Sequence, residues 1–207
     1  MKYIIMCGGK YKHWEDTRHF EIIRGEFIVY RTIRLLRENG VTDIAISSNN
    51  PEFEQFGVPV LYHHNTYGEG GLWIEAFYPM DEPACYIFGD VIFSPNAIKK
   101  IVETETESVE FFASAPPFSP NYFKSYAEPF AFKVADQELF KYKLNECREL
   151  AKRGMFKRLI SWELWQVIKG TPLNDIDYTN YTVINDYTCD CDTEEEYNRI
   201  LESGVVE

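Results

Sequence analysis

Three short stretches of this sequence hold residue types that could manage a phosphate chain and a metal ion. The first is Cys7-Gly8-Gly9-Lys10-Tyr11-Lys12, with Arg18 a few residues on. Glycine has no Cβ, so backbone N–H groups can come close to phosphate oxygens there. Lys10, Lys12 and Arg18 would add full positive charges that offset a triphosphate and the charge that builds during its transfer. A tight turn with solvated lysines explains the same residues, and the local pattern leaves the two readings even. The run is neither a Walker loop nor GxGxxG. The second stretch is Phe88-Gly89-Asp90-Val91. Magnesium takes hard oxygen ligands, usually one or two carboxylates plus phosphate oxygens. An Asp just past an apolar run, with Gly clearing space before it, suits that ion. A helix cap is the plainer role for Asp90, but Ser94 is better placed for it. The third is Asp190-Cys191-Asp192. Two carboxylates one residue apart in extended chain point to the same side, where they could complete a metal site; otherwise Asp192 simply helps to start the last helix.

The elements that would position these residues follow from periodicity and punctuation. Residues 2–7, KYIIMC, form an apolar run ended by Gly8-Gly9, which predicts a buried strand. A polar, basic loop over 8–19 follows. Val29, Ile33 and Leu36 predict a helix over 27–38, stopped by Asn39-Gly40. Strands are expected over 42–47 and 58–62, a short helix over 71–78, and a strand over 85–88 ended by Gly89-Asp90. A helix near 95–103 and a strand at 109–113 come next. Pro116, Pro117 and Pro120 mark a long loop over 114–126. A strand over 129–134 leads into one broken or two separate helices over 136–168, with Gly154 as the break. A last strand at 181–184 precedes a capping box, Thr193 to Glu196, and a closing helix with Tyr197, Ile200 and Leu201 on its apolar face.

Alternating strands and helices imply βαβ units: an α/β, Rossmann-like, three-layer α/β/α domain with a mostly parallel mixed sheet. Ligands of such sheets sit outside the carboxyl ends of the strands. Gly8, Gly9, Asn65 and Asp90 all fall there. The length, 207 residues, fits one domain. Hydrophobic residues make up 45% of the chain, enough for a real core and too many for disorder. Lys plus Arg number 21 and Asp plus Glu 33, a formal charge of −12. Such a surface argues against nucleic-acid and membrane-surface roles, yet a few focused cations can still hold a small phosphorylated ligand. No run is long enough to span a membrane, and no export signal is evident at the N-terminus, so a soluble, cytoplasmic protein is expected. The five cysteines do not suggest a disulfide framework.

With these residues in place, the sequence resembles the sugar-nucleotidyltransferase-like, GT-A-type superfamily. Residues 3–48 follow the order of its opening: a glycine loop after the first strand, a basic residue before an apolar one (Arg18, Phe20), a turn at Gly25-Glu26, a helix, and a strand after Gly40-Val41. Phe88-Gly89-Asp90 matches its metal-binding strand end. Asp190-Cys191-Asp192-Thr193 to Tyr197 is similar to its terminal D-x-D-S/T segment. The resemblance implies the nucleotide-diphospho-sugar transferase fold, with a nucleotide-binding half over 1–113 and an acceptor-binding half over 114–207. It implies that Gly8, Gly9 and Lys10 wrap a nucleotide and that Lys12 and Arg18 act on its phosphates. Asn65, Gly70 and Gly71 fall at the spacing of its base-reading residue and Gly-Thr pair. Asp90, Asp190 and Asp192 would hold Mg2+. Three positions depart from the pattern: Lys10 replaces a glycine, Thr17 a proline, and Arg18 a lysine, which keeps charge but changes geometry.

The expected activity is a magnesium-dependent nucleotidyltransferase joining an NTP to a phosphorylated acceptor, such as a sugar 1-phosphate or phosphocholine, with release of pyrophosphate. A GT-A glycosyltransferase and a non-catalytic nucleotide-binding module are the alternatives. The base, the acceptor and the oligomeric state stay open, a homodimer among the forms allowed. Other residues weigh less. Adjacent His63 and His64 point apart and should not share a metal. Cys189 and Cys191, Trp162 and Trp165 are expected in the core. Lys152, Arg153, Lys157 and Arg158 read first as a solvated face. Glu128 and Lys133 are the better acceptor candidates, because the resemblance places the acceptor pocket in the second half.

Overall fold

The computed structural model describes residues 1–8, 18–115, 127–156 and 158–206. Strand β1 (Lys2–Met6) carries buried Tyr3, Ile4 and Ile5 in succession. A strand buried on both faces has no polar side to alternate with, which is why it reads as a continuous apolar run. After a 3-10 turn at Arg18–Phe20, strands β2 (Ile22–Ile23) and β3 (Glu26–Phe27) form a small hairpin. Arg24 and Gly25 take positive φ at its tip, as two-residue hairpin turns require. Helix α1 (Ile28–Glu38) buries Val29, Ile33 and Leu36 on one stripe, and Gly40 leaves it at φ 80. Strands β4 (Ile44–Ser48), β5 (Val60–Tyr62) and β6 (Ala84–Phe88) follow, β4 and β6 buried throughout.

Strand β7 (Val91–Ile92) leads to α2 (Pro95–Glu103). The Ser94 hydroxyl accepts from the Ala97 N–H at 2.9 Å, so Ser94, and not Asp90, caps this helix. Strands β8 (Val109–Ala113) and β9 (Pro129–Val134) precede α3 (Gln137–Lys152) and α4 (Ser161–Lys169), with Gly154 in the left-handed region between the two helices. Strands β10 (Thr182–Val183) and β11 (Cys189–Asp190) and helix α5 (Glu194–Ser203) complete the chain.

The main sheet has seven strands in the order β10-β8-β9-β6-β1-β4-β5. Strand β9 runs antiparallel to both neighbours, while the other pairings are parallel. Helix α1 packs with α2, and α3 with α4. The α/β class and the mostly parallel mixed sheet are as the sequence predicts. From β1 the chain moves to β4 on one side and later returns to β6 on the other. This reversal opens a crevice at the carboxyl ends of β1 and β6, the usual ligand position in open α/β sheets.

Some expectations need correcting. The short helix expected over 71–78 is a single 3-10 turn at Trp73–Ala76, preceded by another at Tyr67–Glu69. The small pairs β2–β3 and β7–β11 lie beyond the sequence reading. The Thr193 hydroxyl caps α5 by accepting from the Glu196 N–H at 3.2 Å. The return bond of the expected capping box goes elsewhere: Glu196 accepts from the Asp192 N–H at 2.9 Å. Among the described residues no helix is long and apolar enough to cross a membrane.

Candidate active site

The β1–β6 crevice is floored by a close approach of backbones. The Gly89 N–H donates to the Met6 carbonyl at 3.0 Å. A Cβ on Gly89 would lie 2.5 Å from Cys7 Sγ, 2.6 Å from the Met6 oxygen and 3.0 Å from His19 Cδ2. Only glycine fits there, and the next residue, Asp90, is thereby delivered to the rim of the sheet. Burial, and then the charge of Asp90, pushes the Cys7 thiol well above its ordinary pKa, so Cys7 is packing and not a nucleophile.

The last strand returns to the same rim. Asp190 pairs in register with Val91, and the Cys191 N–H donates to the Asp90 carbonyl at 2.9 Å. The alternation expected of extended chain is present: Cys189 and Cys191 are buried in a satellite core with Ile23, Ile28, Ile92 and Ile200, whereas Asp190 and Asp192 stay partly exposed. Asp186 holds this approach in place by accepting from the Ser94 hydroxyl at 2.6 Å and the Thr188 N–H at 2.8 Å.

Arg18 meets both carboxylate segments. Its Nη2 donates to Asp90 Oδ2, and its Nη1 to Asp192 Oδ1 at 2.9 Å. Burial works against the guanidinium charge, but Asp90, Asp192 and Asp190 outweigh it and raise the Arg18 pKa. The base of this side chain is fixed. Neighbouring His19 is 3% exposed, and Phe20 stacks on Phe53 at 4.8 Å between centroids. Burial, then the Arg18 charge, drives the His19 pKa down to about 3, so this imidazole is neutral.

Ligand atoms of Asp190, Asp192 and Glu196 lie within 4.8 Å of one another. All are carboxylate oxygens, the hard donors that suit Mg2+; Asp90 is not one of these three and is linked to Asp192 by Arg18. The residues present therefore fit a divalent cation. Glu196 carries no such signal in the sequence: one turn into a helix, it reads only as a capping residue. Glu128, fully buried, accepts from the Asp190 N–H at 3.3 Å, which places it against a metal-ligand candidate.

Lys133 does not belong to the site. Its ammonium donates to the carbonyls of Ile101, Val102 and Thr104 at 3.0, 2.9 and 2.6 Å, closing the C-terminal end of α2. Asn65 lies against the glycine loop: a Cβ on Gly8 would approach Asn65 Cβ to 3.0 Å, and its amide reaches the Gly8 carbonyl at 3.5 Å. Gly70 takes φ +96, and a Cβ on Gly71 would lie 2.0 Å from Thr66 Oγ1, so both glycines are demanded by the turn itself. Gly9, Lys10, Lys12, Thr17 and Lys157 lie outside the described residues. His63 and His64 do point apart, to the Glu75 carbonyl and the Glu69 carboxylate, and Trp162 and Trp165 are buried.

No family model matches the sequence, and no curated protein matches it. Solved structures do. A Bacillus anthracis protein assigned as a glucose-1-phosphate thymidylyltransferase is 16% identical, with a TM-score of 0.62 over 97% of this chain and 94% of its own. An inositol-1-phosphate CTP transferase from T. maritima gives 16% identity and a TM-score of 0.59 over 98% and 95%. A CTP:phosphocholine cytidylyltransferase from Streptococcus pneumoniae gives 13% and 0.55 over 97% of each chain. Identities this low speak for the fold alone: over nearly its whole length this chain shares the fold of these three structures.

Proposed function

We propose that the protein is a divalent-metal-dependent nucleotidyltransferase that joins an NTP to a small phosphorylated acceptor, such as a sugar 1-phosphate or phosphocholine, and releases pyrophosphate. The observation that carries this reading is the convergence of Arg18, Asp90 and Asp192 in direct contact at the carboxyl ends of β1 and β6, with Gly8 and Asn65 beside the same rim. Stretches up to 174 residues apart meet there. In this reading Gly8, Gly9 and Lys10 wrap the phosphates, and Lys12 and Arg18 neutralise them. Asn65, Gly70 and Gly71 line the nucleoside side.

Asp90 and Asp190 would hold Mg2+, with Asp192 assisting; the bound ion would draw charge from the phosphates and steady the leaving group. An oxygen of the acceptor phosphate attacks the α-phosphorus in line. The bond from the α-phosphorus to the bridging oxygen breaks, and pyrophosphate departs with the electron pair. The protein positions the reactants and offsets charge, and no covalent protein intermediate is required. The acceptor is assigned to the half of the chain over 114–207.

The test is a pyrophosphate-release screen of CTP, UTP, GTP and dTTP against a panel of phosphorylated acceptors with magnesium. Release that needs one NTP, one acceptor and the metal together supports the reading. Nucleotide binding with no turnover across the panel would point to a binding module.

A further inference from the structure

The oxygens that would ligate the metal already face a cation. Arg18 spans Asp90 Oδ2 and Asp192 Oδ1, and Asp190 adds its field to the same guanidinium. A guanidinium seated on carboxylate oxygens takes up lone-pair directions there and repels a second cation, so it competes with a magnesium ion for them. We propose that Arg18 is a built-in counter-cation that keeps a divalent ion out of the carboxylate cluster until the phosphates of a nucleotide draw the guanidinium away. This inference rests on the metal-site reading above.

Arg18 has no acid–base escape from these oxygens. Guanidinium stays protonated at any working pH. It leaves them only for another anion, and a phosphate offers its planar fork a bidentate match. The backbone beneath it cannot follow, because His19 is buried and Phe20 is stacked on Phe53, and the Glu21 N–H closes the turn on the Arg18 carbonyl at 3.2 Å. The exchange therefore falls on the side chain alone. An ion that binds only the Arg18-out arrangement sees its affinity cut by the fraction of molecules in that arrangement. A nucleotide that holds Arg18 out restores it, and by linkage metal and nucleotide each strengthen the other by the same factor. The metal is thus expected to enter with the nucleotide, not ahead of it.

Equilibrium dialysis with manganese and no nucleotide tests this. Arg18→Met keeps the aliphatic stem and removes the charge. It should bind manganese at least about tenfold more tightly than the wild type, within the usual range of site coupling. The gain should vanish in the Arg18→Met/Asp90→Asn double variant. A folded Arg18→Met protein that binds manganese no better than wild type would overturn the inference. Should that variant fail to fold, the wild type decides: manganese affinity must rise when CTP, UTP, GTP or dTTP is added, and an affinity that none of them changes overturns the inference. The functional reading survives that result if manganese uptake still depends on Asp90. If no condition gives Asp90-dependent uptake, the metal-site reading falls with it.

Discussion

Two cations are largely buried at opposite ends of the sheet, and their partners separate chemistry from architecture. Lys133, 6% exposed, sits where β9 runs beside the start of β6. Its three N–H groups meet three main-chain carbonyls at the end of α2. The match is one to one, and a cation suits the negative end of a helix. Arg18, at the carboxyl ends of β1 and β6, faces carboxylates instead. These carboxylates come from two distant segments, and Asp192 lies close to Asp190 and Glu196. Backbone carbonyls that end a helix need a fixed donor. Converging carboxylates can trade one cation for another, which is why the proposed chemistry is placed at that end of the sheet.

Several measurements would break or sharpen this contrast. The largest loss of stability is expected at the floor of the Arg18 end. Gly89→Ala places a Cβ 2.5 Å from Cys7 Sγ and 2.6 Å from the Met6 oxygen, so β1 and β6 must part. Chemical denaturation should show a loss of about 3 kcal/mol, with turnover falling alongside as Asp90 shifts. At the other end, Lys133→Met strands three carbonyls. It should cost about 2–3 kcal/mol of stability, while turnover per folded molecule stays unchanged. A specific loss of turnover there would erase the distinction between the two ends.

His19 gives a pH-dependent readout beside Arg18. Its folded pKa of about 3 lies below the ordinary 6.5. Below pH 6.5 the unfolded chain therefore binds a proton that the folded chain refuses down to about pH 3. The stability tied to the neutral imidazole is complete above pH 6.5 and is lost as pH falls through that window. From pH 7 to pH 5 the wild type should lose about 2 kcal/mol through this group, and denaturation of His19→Gln should lack that component. Equal pH slopes would mean that His19 is not the buried neutral group described. Smallest, Thr193→Ala removes the cap of α5 and should cost about 1 kcal/mol.

The Arg18 end was largely legible in the sequence, and the reasons are local. β1 announces itself because a doubly buried strand must be apolar at every position, and Gly89-Asp90 because a glycine at a strand end leaves a visible break. The Asp190-Cys191-Asp192 alternation is legible too, since extended-chain geometry alone sends Cys191 inward and Asp190 and Asp192 outward. What was not legible depends on partners far away in sequence. Two-residue strands such as β7 and β11 carry no periodic signal, and only their pairing, Val91 with Asp190, defines them. Lys133 looked available for a ligand because nothing near it in sequence shows that the end of α2 arrives above it. Glu196 passed for a capping residue because its bond to Asp192 and its nearness to Asp190 are tertiary facts.

The most direct test sets Asp90→Asn beside Lys133→Met in the same pyrophosphate-release assay, each corrected for the folded fraction. Asp90→Asn should retain the wild-type fold and lose at least about a thousandfold in turnover, the scale expected when a charge-stabilising group is removed from a transferring phosphate, while Lys133→Met turns over like the wild type. Wild-type turnover by Asp90→Asn would contradict the assignment of that rim as the site of phosphate chemistry.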